Sequence, residues 1–130
     1  MKLRIKGDSL RLRISPSEMS RLLLTGRIEE TICFAPGHDA RLTYALSTNA
    51  GGLTPSASIS VRYKAQEVLV TIDATKARAW AEGTEVGLYA NINTGAGQLE
   101  VALEKDFACL DKSDPENHDT YPHPHQGGVC

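Results

Sequence analysis

Aromatic side chains are scarce: the 130 residues hold one Trp, two Phe and four Tyr. So few rings leave little for the stacked platforms that hold single-stranded nucleic acid. No apolar run approaches the ~20 residues of a membrane span. The opening Met1-Lys2-Leu3-Arg4-Ile5-Lys6 alternates charge with apolar side chains, where a signal peptide needs an unbroken apolar stretch. The three cysteines, Cys33, Cys109 and Cys130, are an odd number and do not make a closed disulfide framework. The common catalytic motifs are missing: there is no G-x-S-x-G elbow, Walker loop or H-E-x-x-H. Glu29 and Glu30 are adjacent, so on a strand they point to opposite faces and form no carboxylate pair. These absences predict a cytoplasmic protein that leans away from catalysis.

What remains is an ordinary globular composition, with 41% hydrophobic and 23% charged residues, so a folded chain is expected. Its length suits a single domain. The net charge of -2 hides an asymmetry. Residues 1–65 hold ten Lys/Arg against five Asp/Glu; residues 66–130 hold four against eleven. A basic face in the first half could meet an anion.

Period-two alternation over Lys2–Lys6 and Leu10–Ile14, with Gly7-Asp8-Ser9 between, predicts a hairpin. Leu3, Ile5, Leu10, Leu12 and Ile14 should face the core; Lys2, Arg4, Lys6, Arg11 and Arg13 should share the other face. Ser15-Pro16-Ser17-Glu18 is a helix start with a capping box, and Gly26 is its stop. Strands are expected at 27–34 and 40–48, with a loop through Gly51, Gly52 and Pro55. Cys33 reads as a small buried hydrophobe within its strand. The second half repeats the order: strands at 57–64 and 67–72, a helix at 74–82 capped by Asp73 and ended by Gly83, then strands at 85–92 and 98–104.

A slide of 58 positions aligns Leu12 with Val70, Ile14 with Ile72 and Ser15 with Asp73; a slide of 57 aligns Gly26 with Gly83 and Leu42 with Leu99. We read a mainly β (α+β) domain over 1–104, made of two pseudo-repeated ββαββ halves, 1–48 and 57–104. Neither half can bury a sheet face alone, so a small closed β-barrel with two short helices is expected. An open two-layer sandwich is the alternative.

The run Lys2–Leu23, with its strand, Gly7-Asp8-Ser9 turn, Arg-bearing strand and Pro16-opened helix, resembles the AbrB/MazE group of DNA-binding regulators. Glu82-Gly83-Thr84-Glu85-Val86 in the second half is similar to that group's segment after the helix. The resemblance implies a swapped-hairpin barrel and DNA binding. Asp8 stands where that group usually has Asn, and both copies lie in one chain. The opening Met-Lys-Leu-Arg-Ile-Lys-Gly-Asp-Ser-Leu-Arg-Leu-Arg also resembles a group of small bacterial proteins without an assigned activity, extending towards Glu104–Cys109.

Residues 105–130 lose apolar periodicity and form an irregular C-terminal segment. Cys109, His118, His123, His125 and Cys130 fall within its last 22 residues. Thiolate and imidazole are the ligands of tetrahedral zinc, so Zn²⁺ is the expected cofactor, with copper or nickel as alternatives. A disulfide between Cys109 and Cys130 is the competing use in an oxidising compartment. The function expected is a non-enzymatic binding or accessory protein. A DNA-binding regulator acting through Lys2, Arg4, Lys6, Arg11 and Arg13 is one alternative, and a metal-dependent enzyme another. A homodimer is compatible with the sequence, which names no seam for it, and no membrane partner is expected.

Overall fold

The structure, a computed structural model, describes residues 1–49, 58–107 and 119–122. The elements run β1 (Lys2–Ile5), β2 (Ser9–Ile14), α1 (Pro16–Thr25), β3 (Arg27–Cys33), a 3-10 turn at His38–Ala40, and β4 (Arg41–Asn49). The second half continues with β5 (Ile59–Lys64), β6 (Glu67–Asp73), α2 (Ala74–Glu82), β7 (Gly87–Asn93) and β8 (Gln98–Lys105). The fold is mainly β with two α-helices, in the expected order. The expected Gly/Pro loop falls largely outside the described residues.

Each half contributes one antiparallel hairpin to each of two sheets. The first sheet has the order β1-β2-β8-β7 and the second β3-β4-β6-β5. The central seams, β2 with β8 and β4 with β6, are parallel. The two halves are thereby interleaved, and each sheet needs both of them.

Register repeats with the elements. Lys2 pairs with Arg13 and Ser60 with Thr71, each partner 58 positions on. Leu10 pairs with Val101 across one seam, and Val68 with Tyr44 across the other, shifts of 58 and 57. Even a single turn bond recurs: Glu100 N–H donates to Asp8 O and Thr43 N–H to Gln66 O, both at 2.9 Å. The buried helix positions match too, Met19 and Leu22 on α1 against Ala77 and Trp80 on α2. A medium pair in one helix is answered by a small and a large residue in the other, which conserves the volume placed between the sheets.

Local chemistry sets the helix ends. Ser15 Oγ accepts from Glu18 N–H, and Ser15 N–H donates to Glu18 Oε1 at 3.0 Å, the reciprocal capping box. Gly26, at φ 80°, takes the left-handed conformation that lets its N–H reach Leu22 O. Asp73 caps α2 by accepting from the N–H groups of Thr75 and Lys76. Three residues, Thr84, Glu85 and Val86, separate Gly83 from β7, whereas Gly26 is followed at once by β3. Thr48 N–H donates to Gly26 O, and Lys105 N–H to Val86 O, both at 2.9 Å. The insertion thus leaves Gly83 O over, and the buried Lys105 Nζ donates to it at 2.9 Å. A cation at a helix C-terminus also suits the dipole there.

Leu12, Ile14, Leu22, Leu46, Val70, Ile72, Trp80 and Leu103 form one core between both sheets and both helices. The expected barrel is corrected: the sheets stay separate, with β1, β7, β3 and β5 as edges. β5 and β7 touch without sharing a ladder. Closure needs hydrogen bonds across the edge gaps, and period-two alternation fixes which face a residue takes, not which edge it joins. Two further expectations fail at the hairpin-turn end, opposite the helices. Ile5 is 61% exposed, and Cys33 is exposed rather than buried. Ile5 lies on edge strand β1 next to its turn, and Cys33 shares the outer face of β3 with Arg27, Glu29 and Thr31, opposite in parity to the buried Ile28. Among the described residues no helix is long and apolar enough to cross a membrane.

Candidate functional site

The five basic residues of the opening hairpin have different partners. Lys2 and Arg4 on β1 stand opposite Arg13 and Arg11 on β2, two like-charged cross-strand pairs. Such pairs repel unless a counter-charge intervenes. Two carboxylates do so: Lys2 Nζ lies 3.0 Å from Asp106 Oδ2, and Arg11 Nε 3.0 Å from Glu104 Oε1. Arg4, Lys6 and Arg13 are exposed and in no ion pair among the described residues. The face is therefore basic along β1 and β2 but acidic along β8, where Glu100 and Glu104 share it. Beyond Glu104, Tyr89 on β7 donates its hydroxyl to Glu104 Oε2 at 2.9 Å. Partial burial and then this carboxylate raise the Tyr89 pKa above the ordinary phenol range.

The second notable cluster surrounds the N-terminus of α1. The Met1 amine bonds Glu18 and lies 3.3 Å from Glu30 Oε2, which accepts from the Tyr44 hydroxyl at 3.1 Å. Burial pushes the Glu18 carboxyl up, but the bonds from the amine and from Ser15 N–H outweigh it and hold the group below the ordinary glutamate range. A carboxylate depressed in the folded state lends stability that is complete above its unfolded pKa and is lost as pH falls through the folded one. The expected result is an acid-unfolding curve that starts at and below the ordinary glutamate range. Glu18→Gln should flatten its stability-versus-pH profile there, as read by circular dichroism. An identical profile for Glu18→Gln would contradict this assignment.

The C-terminal segment returns to the same end. Asp119 accepts from the backbone N–H of Ser17 at 3.2 Å and bonds its hydroxyl, adding an acidic group beside the first turn of α1. Tyr121 N–H donates to Asp106 O at 2.8 Å. Phe107 and Tyr121 form a parallel bridge, with ring centroids 6.0 Å apart. The Lys105 ammonium stands 5.4 Å from the Tyr121 ring centroid. Lys105 and Tyr121 are not singled out by the sequence, which offers Asp119 only as an added oxygen ligand for a metal. Lys105 carried a signal, because it continues the inward alternation of Val101 and Leu103. Tyr121 carries none, and nothing in the sequence ties Asp119 to α1.

Cys109, His118, His123, His125 and Cys130 lie outside the described residues. Among the described residues no group of three His, Cys, Asp or Glu could hold a metal ion. His38 is exposed in its 3-10 turn.

A family model matches residues 1–125, nearly the whole chain. The chain belongs to the DUF7009 family. DUF7009 is a family of unknown function, consistent with the resemblance of the opening residues to proteins without an assigned activity. The match shows no link to the AbrB/MazE group. Comparison with curated proteins and with solved structures gave no match.

Proposed function

We propose that this DUF7009 chain is a non-catalytic binding or accessory module whose C-terminal segment takes up a divalent metal, zinc foremost. One observation supports the reading: the pairing of Phe107 with Tyr121 ties the chain to the body just before Cys109 and again between His118 and His123. Cys109 follows Phe107 by two residues, His118 precedes Tyr121 by three, and His123 follows it by two. A thiol and two imidazoles are thus tethered by short spans to one anchored point. Such tethering lowers the ordering cost of a tetrahedral site. His125 and Cys130 are the remaining donors. A cytoplasmic setting, where thiols stay reduced, suits these ligands.

Calorimetric titration of Zn²⁺ into the reduced full-length chain should give one equivalent bound at micromolar affinity or better. Cys109→Ser and His123→Ala should each weaken it by about tenfold or more. No heat of binding, with an unchanged native mass after zinc is added, would overturn the reading.

A second reading, nucleic-acid binding, draws on the exposed Arg4, Lys6 and Arg13. Phosphate contacts by these side chains would give salt-sensitive affinity with little sequence preference. Fluorescence anisotropy with duplex DNA at low salt should then show binding that weakens with salt and with Arg4→Ala or Arg13→Ala. No binding at micromolar protein removes this reading.

A further inference from the structure

The repeated register sets the outer faces of the two sheets side by side, and one is sealed where the other is open. On the second sheet, Arg27 Nη2 donates to Glu29 Oε2 at 2.8 Å and to Glu67 Oε2 at 2.9 Å. Because β4 lies between β3 and β6, this guanidinium crosses β4, and Ala45 beneath is 0% exposed. On the first sheet the matching positions are Gly87 for Arg27, Tyr89 for Glu29, Ser9 for Glu67 and Ala102 for Ala45. No guanidinium crosses β8. Ala102 stays half-buried, and a groove of about 440 Å³ opens over it, bordered by Arg11, Tyr89, Asn91 and Glu100.

Gly87 sets the posture of Tyr89. A Cβ on Gly87 would stand 3.1 Å from the Tyr89 hydroxyl, so the ring lies back along β7 over the glycine. Glu104 holds that hydroxyl and is itself held by Arg11. The result is a ring fixed at its tip and 62% exposed. Past Glu100 the depression continues towards Gln98 near the hairpin turns. From Ala102 to Gln98 is about 13 Å at the usual strand rise.

We propose that this groove binds a neutral, hydroxyl-rich oligosaccharide. A fixed, exposed aromatic ring offers a platform for the C–H face of a pyranose. Planar amide, carboxylate and guanidinium groups match pairs of neighbouring hydroxyls as donors and acceptors. The side chains of Asn91, Gln98 and Glu100 make no hydrogen bond or ion pair among the described residues, so their polar atoms are free for a ligand. Charge favours a neutral occupant: Glu104 neutralises Arg11, and Glu100 would repel a phosphate chain. The open, shallow form suits a ligand lying along β8, with water filling the remaining polar contacts. This inference stands independently of the metal reading, because it uses none of the C-terminal ligands.

The test titrates cellohexaose, xylohexaose, maltohexaose and chitohexaose into the full chain at millimolar concentration, followed by amide NMR and calorimetry. At least one should bind, with shifts concentrated on β7 and β8. Tyr89→Ala should weaken that binding by about tenfold or more, while Lys64→Ala on the other sheet leaves it unchanged. If Tyr89→Ala proves unfolded, Asn91→Ala supplies the same comparison and should weaken binding in its place. Shifts from none of the sugars, binding insensitive to both groove substitutions, or a complex of the groove with a thymidine oligonucleotide instead of a sugar would each overturn the proposal.

Discussion

Trp80→Ala should cost about 3–5 kcal/mol of stability, the range for emptying a large aromatic site in a packed core. The residue is 1% exposed and sits at the α2 position that matches Leu22 on α1. Its partner on the helix is Ala77, which is too small to close the gap left by the lost indole. The indole N–H also points to Val86 O at 3.5 Å, in the insertion that leads into β7. A total stability of 5–15 kcal/mol is usual for a domain, so the variant would lose a large share of it. Urea unfolding followed by circular dichroism measures the loss. Leu24→Ala, at a helix position 85% exposed, should stay within about 0.5 kcal/mol of the parent. Equal costs for the two variants would mean that α2 does not plug the core.

The second large effect is expected at Gly87. Its backbone is so close to β8 that a Cβ would stand 2.4 Å from Leu103 O and 3.0 Å from Glu104 Cγ. A carbonyl within a ladder cannot swing aside as a flexible side chain can, so Gly87→Ala must spread β7 from β8. A cost of about 1–3 kcal/mol is expected, the range for overpacking. The same methyl would lift the Tyr89 hydroxyl from Glu104. Thermal unfolding should register the first effect. The second should appear as a phenol titrating closer to its ordinary range in the ultraviolet, since the Glu104 bond is one of the causes that raise Tyr89. A fully stable Gly87→Ala protein would show that the two strands are not packed this tightly.

Much of this architecture is written locally, in side-chain alternation and capping residues. Leu10, Leu12 and Ile14 announce a one-sided strand; Ser15 with Glu18 and Asp73 announce helix starts; Gly26 and Gly83 announce the ends. These signals act over a few residues, which is why element order and the slide of 58 could be read before any coordinates. Seams obey different physics. β2 pairs with β8 across some ninety positions, and nothing in either strand specifies that partner beyond a compatible apolar face. A closed barrel and two separate sheets satisfy the same alternation, so the pattern alone could not choose between them. Ile5 obeys it as well and ends up exposed at the turn end of an edge strand, whereas Cys33 is exposed because its parity puts it on the outer face with Arg27 and Glu29.

The basic face was legible as a face but not as a charge pattern. Lys2, Arg4, Arg11 and Arg13 share a side by parity alone. The neutralisation of Lys2 by Asp106 and of Arg11 by Glu104 depends on the β2–β8 seam, which joins the basic half of the sequence to the acidic half. The same seam explains how a charge asymmetry along the chain becomes a mixed surface in the fold. The docking of Asp119 and Tyr121 was illegible for a related reason: each lies in a polar, aperiodic stretch, and each is placed by partners distant in sequence, Ser17 for Asp119 and the Lys105–Phe107 stretch for Tyr121.

Crystals of the full chain grown with zinc, measured on either side of the zinc absorption edge, test the metal reading most directly. The expected result is one strong anomalous peak beside the Phe107–Tyr121 anchor, coordinated by Cys109 and at least one of His118, His123 and His125. No peak, or one held only by surface carboxylates away from that anchor, would contradict it.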